Sequence, residues 1–462
     1  MYVSWSSPSV PRLTGRKEDL GFQFTTEQTS WVVSGYTLGL VVGNFFVSFP
    51  ANILGRRMTL LAAAPLMFVS WIGTTFSENY LVMLFFRIVG GIGSSFAFLA
   101  TSLYIAEIAD KDLRGRLASM FTVLKLSGNL YILSVGPFVS YRVLGLTSSV
   151  IPLIFFVALF FMPESAYFYL KKGNIEKARN SLETFSPANM TSQEIEEKLK
   201  LIQIGVERDM RNKTTLKELF TNKMHRKPLY IILGLKILQQ LCGITAIESY
   251  METIIERSGS SISGELSSII FGIVQFAGAI SSITLVDRLG RKPLLLISAV
   301  GCGLSLIAEG IYFYLSDVLY ADVSNLSWLP TTGLTIYLFL SAAGIYSLPY
   351  LFLGELFATN VKENAAAFAS LFGSTLSFTV TRSFSPLEEA LGIYTVFWIF
   401  ASVCLFGAIF VFMVVPETKN KSLKDIQDKL NKHLKVKEAI IEEGNFEKKQ
   451  TQEKGMKQTL EK

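Results

Sequence analysis

The sequence predicts an all-α membrane protein that crosses the bilayer with about eleven helices. Three observations support this fold class. Half of the 462 residues are hydrophobic, only 17% are charged, and the mean hydropathy is +0.40. The apolar residues are gathered into blocks of about twenty, which is the length of helix that spans a hydrocarbon core. Short motifs from the first half also return in the second half, as expected for two related helical bundles.

Long apolar runs with few charges mark the predicted helices. In the first half they cover residues 31–51, 58–77, 80–106, 114–140 and 145–162. In the second half they cover residues 228–256, 265–286, 292–315, 329–357, 363–384 and 389–414. The predicted parts are an N-terminal bundle (1–162), a cytoplasmic helical linker (163–227), a C-terminal bundle (228–415) and a cytoplasmic tail (416–462).

The first residues, Met1–Leu13, resemble the end of a helix whose beginning is missing, so the first helix of a six-helix bundle is not apparent. The number of spans places this end of the chain outside the cell, with no signal peptide before the first span. Two explanations stay open: a truncated gene model or isoform, and a degenerate family member.

Lysine and arginine set the expected orientation, because basic loops stay in the cytoplasm. The basic loops hold Arg56, Arg57, Lys111, Arg114, Arg116, Arg288, Arg291, Lys292 and Lys362, whereas the intervening loops are mainly acidic. The linker and the C-terminus are therefore expected to be cytoplasmic. Asn325-Leu-Ser lies on the opposite side and is a candidate glycosylation site, whereas the sequons at Asn189 and Asn212 should stay unmodified.

Composition and motifs argue against an enzyme, a metal site and a nucleic-acid partner. All three cysteines lie in apolar blocks, and the chain has two histidines, so neither a disulfide framework nor a zinc site is expected. We find no glycine-rich nucleotide loop and no Ser/His/Asp set. We therefore expect no cofactor and no catalytic residue.

The internal repeat consists of three motif pairs in the same order. Leu54-Gly-Arg-Arg returns as Leu289-Gly-Arg-Lys, and Pro163-Glu-Ser returns as Pro416-Glu-Thr. Glu107, seven residues before Arg114, returns as Glu355, seven residues before Lys362. Each motif lies at a cytoplasmic helix end, so we expect two homologous bundles.

Plain positive-inside topology explains the bases of these motifs but not the acids that accompany them. Charges at the mouth of a helix bundle are accessible enough for their ion pairs to break, as a gate requires. We therefore predict a gating or salt-bridge role for Glu107, Arg114, Glu164, Asp287, Arg288, Gly290, Arg291, Glu355, Lys362 and Glu417. Asp287 could also cap a neighbouring helix.

The same motifs, together with Gln239-Gln-Leu-Cys-Gly-Ile-Thr and Gly354-Glu-Leu-Phe, resemble the signatures of major facilitator superfamily sugar porters. The pattern is most similar to that of insect facilitated trehalose transporters, from about Trp5 to Leu430. The resemblance implies the major facilitator fold of two six-helix-type bundles. It also implies a plasma-membrane carrier that moves trehalose, glucose or a similar hexose or polyol by facilitated diffusion and alternating access. The oligomeric state stays open, with a monomer as the default.

The resemblance also implies a sugar site. Gln239 and Gln240 would hydrogen-bond sugar hydroxyls, and Thr245 replaces the asparagine of the same motif. Tyr250 matches an aromatic external gate, Gln275 a polar position on the eighth helix, and Tyr350 the place of a tryptophan that packs on the sugar ring. Arg87 matches an arginine that faces the bundle interior.

Several residues depart from the family pattern. Asn52 and Ile53 replace an Asp and an Arg, Thr122 a glutamine, and Gly373-Ser374 an Asn-Trp pair. Four charges lie within predicted spans, where ionisable groups are expensive: Lys125, Lys236, Glu248 and Glu309. Lys125 and Glu248 could form a pair across the central cavity. Lys236 could share a helix face with Gln240, or its side chain could extend to the membrane surface instead. A non-transporting sugar sensor or pseudo-transporter, and a carrier of a non-sugar solute, therefore stay open.

Overall fold

A computed structural model describes residues 1–15, 20–109, 111–186, 190–211, 216–260, 262–357, 359–421 and 425–426. Within these ranges the chain forms nineteen α-helices, one short 3₁₀ turn at Ser324–Leu326 and no β-strand. The all-α fold class is confirmed. The predicted tail is largely outside the described residues.

The first half contains seven helices. They are α1 (Ser6–Leu13), α2 (Thr26–Phe46), α3 (Ser48–Ile53), α4 (Arg56–Phe76), α5 (Tyr80–Ile108), α6 (Lys111–Val135) and α7 (Tyr141–Phe160). The linker contains four: α8 (Ala166–Lys171), α9 (Ile175–Phe185), α10 (Ser192–Arg211) and α11 (Leu216–Thr221).

The second half contains eight helices. They are α12 (Lys223–Leu241), α13 (Ile244–Ser258), α14 (Gly264–Leu289), α15 (Arg291–Asp317), α16 (Leu329–Ala343), α17 (Leu348–Leu356), α18 (Thr359–Leu391) and α19 (Ile393–Val414). Each of the eleven predicted spans coincides with one of these helices or with a broken pair of them.

Nine segments of the described chain are long and apolar enough to cross a membrane. Two predicted spans, 114–140 and 363–384, are not among them. They correspond to α6, whose apolar part is limited to Val123–Val135, and to α18, which carries charges near both ends. Helix packing rather than hydropathy therefore identifies these two helices as members of the bundle.

Close helix packing organises the first half. Helix α2 lies against α5, and a Cβ atom added to Gly39 would come within 2.1 Å of the Ile88 carbonyl oxygen. Small residues permit this approach, as they do in many membrane helix pairs. Helix α4 packs on α5 and α7, and in the second half α15 packs on α16 and α19. The two halves meet through α2 with α18, α6 with α14, and α1 with α13.

The two ends of the bundle differ in what covers them. We call the end that carries the linker helices α8–α11 the linker end, and the opposite end the far end. The two amphipathic helices predicted in the linker are present as α9 and α10, and they pack with α8 around Ala178, Leu182 and Leu199. The predicted helix end at residues 1–13 is present as α1, which lies against α13.

The geometry of the turn before α4 predicts that two glycine substitutions differ in how far they lower the free energy of unfolding. Gly55 has φ of +101°, and an added Cβ would lie 2.3 Å from Glu164 Oε2. Gly173 has φ of +76° but has no atom within 4 Å of such a Cβ. Gly173→Ala should therefore cost only backbone strain of about 1–2 kcal/mol. Gly55→Ala should also displace a hydrogen-bonded carboxylate, at a further cost of about 1–3 kcal/mol.

Thermal unfolding of the two detergent-solubilised variants measures the difference. We expect a clearly lower unfolding temperature for Gly55→Ala than for Gly173→Ala. Equal temperatures would contradict the close approach of Glu164 to this turn.

Candidate functional site

At the linker end of the first half, two carboxylates hold the turn that opens α4. Glu164 accepts hydrogen bonds from the backbone N–H groups of Arg56 (3.2 Å) and Arg57 (2.9 Å), so it caps the N-terminus of the helix. Glu107 accepts from Arg56 Nε at 2.7 Å and from the hydroxyl of Ser165. Helices α4, α5 and α8 are therefore tied together by one charged cluster.

The second half repeats this cluster almost atom for atom. Glu417 accepts from the backbone N–H groups of Arg291 (3.2 Å) and Lys292 (2.9 Å) at the start of α15. Glu355 accepts from the Arg291 guanidinium at 3.1 Å and from the Thr418 hydroxyl at 2.5 Å. The predicted repeat therefore has a physical counterpart in which equivalent residues make equivalent contacts.

The cluster also corrects part of the prediction. Asp287 was expected to be able to cap a helix, but its side chain is 78% exposed and lies 3.8 Å from Arg291, and Glu417 is the cap instead. Arg288 takes part through its carbonyl oxygen, which accepts from Lys419 Nζ at 2.8 Å. The exposed Lys362 lies beside Gly354. The side chain of Arg114 lies outside the described residues.

The arginine–glutamate pairs of the two clusters each join helices of one half: Arg56 with Glu107, and Arg291 with Glu355. Neither of them crosses from one half to the other. The gating role that the sequence suggests for this set of residues stays a prediction. Asn52, which replaces the expected aspartate, still accepts from Lys171 Nζ at 3.0 Å and so keeps a link to α8.

The two capping carboxylates differ in acidity although they occupy equivalent places. Burial raises the pKa of Glu164 above its usual value. Burial acts in the same direction on Glu417, but the N–H groups of Lys419, Lys292, Arg291 and Thr418 outweigh it, so the pKa of Glu417 is lowered. Glu417 therefore favours the charged form more strongly than its counterpart does.

In the second half, two membrane helices are broken beside the predicted sugar site. Helix α12 ends at Leu241 and α13 begins at Ile244, because Gly243 adopts φ of +86° and lies against the ring of Phe400. Helices α16 and α17 are separated by residues 344–347. Broken helices expose backbone polar groups in the membrane, which is tolerated where they line a site.

Gln239 is the centre of the polar network at these breaks. Its amide nitrogen donates to the Tyr346 carbonyl oxygen at 2.7 Å, and its amide oxygen accepts from Lys236 Nζ at 2.8 Å. Gln240 contacts Gln239 at 3.4 Å, and Thr245 donates to Gln240 at the same distance. The structure thus brings together Gln239, Gln240 and Thr245.

Two lysines complete this network, one from each half. Lys125 of α6 donates to the Tyr346 hydroxyl, and its Nζ lies 4.6 Å from the centre of that ring. Lys236 of α12 is only 3% exposed, and its Nζ lies 3.8 Å from the ring centre of Tyr350. Lys236 therefore does not reach the membrane surface. Tyr350, which is 41% exposed, is the aromatic member of the group.

Two other predicted site residues, Gln275 and Tyr250, have contacts outside this network. Gln275 donates to Glu248, and the Lys125–Glu248 pair considered from the sequence is not among the ion pairs of the described residues. Tyr250 is buried and stacks on Phe384, with ring centres 4.9 Å apart. The side chain of Thr122 lies outside the described residues.

Arg87 is buried inside the first half, as predicted, but it forms no ion pair among the described residues. Its guanidinium donates to the Val32 and Tyr2 carbonyl oxygens and to the Ser6 hydroxyl. It also lies 4.5 Å from the ring of Trp5. Arg87 therefore fixes the segment before α1 against α2 and α5.

At the far end, one arginine connects the halves. Arg382 of α18 lies 3.7 Å from Glu27, donates to the Ser30 hydroxyl at 3.3 Å, and stacks 4.5 Å from the Trp31 ring, all of which belong to α2. Arg257 forms ion pairs with Asp317 and Glu388, but these three residues all belong to the second half. No motif of the sequence marks Arg382 as such a contact.

Sequence reasoning missed three contributors to the site and the clusters. Arg56 was treated as a topology signal, although its match to Arg291 in the repeat identifies it as the partner of Glu107. Tyr346 and Ser377 had no motif to mark them. Tyr346 contacts Gln239 and Lys125, and the Ser377 hydroxyl donates to Thr245 at 3.2 Å.

Comparison with known proteins agrees with this architecture. The family model described as "Sugar (and other) transporter" matches residues 3–430. The facilitated trehalose transporter Tret1 of Bombyx mori is 33% identical over 427 residues, covering 92% of this chain and 83% of that protein. Tret1 of Apis mellifera ligustica is 31% identical over 424 residues, covering 91% and 84%.

Solved structures share the fold. The inward-open xylose transporter XylE of E. coli matches with a TM-score of 0.74 at 22% identity, covering 92% of this chain and 95% of that one. A D-xylose–proton symporter matches with a TM-score of 0.68 at 22% identity, covering 91% and 97%. The two-bundle fold of the major facilitator superfamily is therefore confirmed.

The lowered pKa of Glu417 predicts a pH-dependent contribution to stability. A carboxyl group whose pKa is lowered by folding stabilises the protein above its usual pKa, near 4.5, and loses this effect as the pH falls through the lowered value. Glu417→Gln should therefore lower the unfolding temperature at pH 7, and the deficit should shrink below about pH 4.5.

Glu78→Gln is the matched control, because Glu78 makes only an exposed contact with Arg142 at 3.8 Å. The unfolding temperatures of both variants and of the wild type are compared from pH 7 to below about pH 4.5. A deficit of Glu417→Gln that does not change with pH would contradict the assigned hydrogen bonds.

Proposed function

The chain belongs to the sugar (and other) transporter family, and from this membership we propose that it carries trehalose, glucose or a similar sugar across a membrane by facilitated diffusion. It is a multi-pass membrane protein and a transporter rather than an enzyme. The observation that carries the sugar assignment is the network of Gln239, Gln240 and Thr245 beside the broken helices α12 and α13.

The chemistry of this network suits a polyhydroxylated ligand. An amide side chain both donates and accepts, so paired glutamines can bond several hydroxyl groups without a charge. Tyr350 offers an aromatic face to a sugar ring, and Gln275 and Tyr250 complete the proposed binding set. The network lies where broken helices of the second half meet Lys125 of the first half, and rocking of the two halves about such a site would give alternating access.

We propose the plasma membrane as the location, with the linker end and the C-terminus in the cytoplasm. The basic loops at the linker end support this orientation. The relatives named above are described as facilitated transporters, which supports diffusion without proton coupling.

Uptake of labelled trehalose and glucose into expressing oocytes tests the function. We expect saturable uptake, and we expect Gln240→Ala to raise KM by about five- to tenfold, since a lost hydrogen bond is worth about 1 kcal/mol. Gln203→Ala in the linker helix α10 is the control, because Gln203 contacts Glu207 far from the site.

Surface biotinylation establishes that each variant reaches the membrane. Absence of uptake across a wide panel of sugars, with the protein at the surface, would overturn the carrier assignment. That result would favour the alternative of a non-transporting sensor.

Glycosylation tests the orientation independently. Asn325 is exposed in the 3₁₀ turn at the far end, so an external far end should make it a glycan acceptor. Digestion with peptide N-glycosidase F should increase the gel mobility of the wild type and of Asn212→Gln, but not that of Asn325→Gln. A glycan lost in Asn212→Gln and kept in Asn325→Gln would reverse the orientation.

A further inference from the structure

We propose that the central site binds a polyol that carries one anionic group, a carboxylate or a phosphate, with Lys125 and Lys236 as its cationic contacts. The inference rests on the proposed function, because it assigns the substrate class of the same site. It goes beyond a neutral sugar, which would use the amides but would not pair with the buried ammonium group of Lys236 or the exposed one of Lys125.

The two lysines are joined by a short chain of contacts. Lys125 bonds the Tyr346 hydroxyl, the Tyr346 carbonyl oxygen accepts from Gln239, and Gln239 accepts from Lys236. Both ammonium groups therefore border the amide network where a sugar would bind. The open ring of Tyr350 lies directly beside Lys236.

Neither lysine forms an ion pair with a carboxylate among the described residues. The described residues give Lys125 contacts with Tyr346 and Phe98, and Lys236 contacts with Gln239 and Tyr350, but no ion pair. Glu248 is the nearby acid, and it bonds Gln275 instead. Aromatic faces and an amide oxygen stabilise a cation only partly.

Placing the ammonium groups of Lys125 and Lys236 within membrane helices costs free energy, which argues that they have a function. Ionisable groups inside a membrane usually mark a substrate path or have a partner. Like charges also repel more strongly in a medium of low dielectric constant than in water. A bound anion would remove the repulsion between Lys125 and Lys236 and pair with both.

The placement of the lysines connects this anion to the transport cycle. Lys125 belongs to the first half and Lys236 to the second. An anion bound between them would draw the halves together around the site. A neutral sugar could use the amides but could not make this contact.

Competition and uptake experiments on the full chain test the inference. The probes are labelled gluconate and glucose 6-phosphate, with glucose as the neutral probe, all in the oocyte assay. We expect saturable uptake of at least one anion, with an affinity at least tenfold higher than for glucose. Preference between the two anions distinguishes carboxylate from phosphate.

Substitutions of the lysines supply the second part of the test. Lys236→Met and Lys125→Met should each lower the affinity for the anion at least tenfold more than they lower the affinity for glucose, because both lysines also hydrogen-bond members of the network that would bind glucose. Lys236→Arg should keep most of the anion affinity, which a merely structural effect on folding would not explain. Lys172→Met is the control, since Lys172 lies over the Phe168 ring in the linker, outside the site.

The outcomes separate the two proposals. Uptake of glucose without uptake or competition by either anion would overturn this inference and leave the carrier function intact. Anion uptake that is unchanged in both methionine variants would also overturn it. Absence of uptake of every probe, with the protein at the surface, would overturn the carrier function as well.

Discussion

Two capping carboxylates hold the architecture of the linker end. A helix leaves its first N–H groups without partners, and in α4 and α15 these groups lie near the membrane surface, where leaving them unpaired is costly. Glu164 and Glu417 satisfy them from outside the helix. Glu164 follows α7 and caps α4, and Glu417 follows α19 and caps α15. Each capping contact therefore fixes both the start of one membrane helix and the segment that follows a later one. The clusters of Glu107 and Glu355 add the arginine side chains to the same junctions.

The sequence predicts the helices of this structure but not the side-chain contacts between them. Local rules identified the helices, since apolar length and period are properties of each segment alone. The repeat identified the residues of the capping clusters, but not which charge meets which, because Arg56 and Glu107 are brought together only by the packing of α4 on α5. The break at Gly243 and the role of Tyr346 were not predictable either. Both depend on distant partners, the ring of Phe400 and the side chain of Lys125.

The two ends of the molecule use charge differently. At the linker end the ion pairs Arg56–Glu107 and Arg291–Glu355 each strengthen one half. At the far end Arg382 joins α18 to α2 and stacks on Trp31, so it ties one half to the other. A contact within one half stays intact when the halves rotate, whereas a contact between halves must break. The contacts of Arg382 between the halves at the far end are therefore partly exposed and individually weak.

The central site combines two chemistries that make different demands. Amide and hydroxyl groups such as Gln240 and Thr245 suit a neutral ligand and cost little when water replaces it. Ammonium groups such as Lys236 cost more, because burial removes their hydration and Tyr350 and Gln239 restore only part of it. A site built for neutral hydroxyls alone would bind as well with an apolar or amide side chain in place of the lysine. An anionic ligand of the kind proposed would offset the cost of burying Lys236 by supplying the missing negative charge. Because Lys125 belongs to one half and Lys236 to the other, that charge would also become part of the contact between the halves.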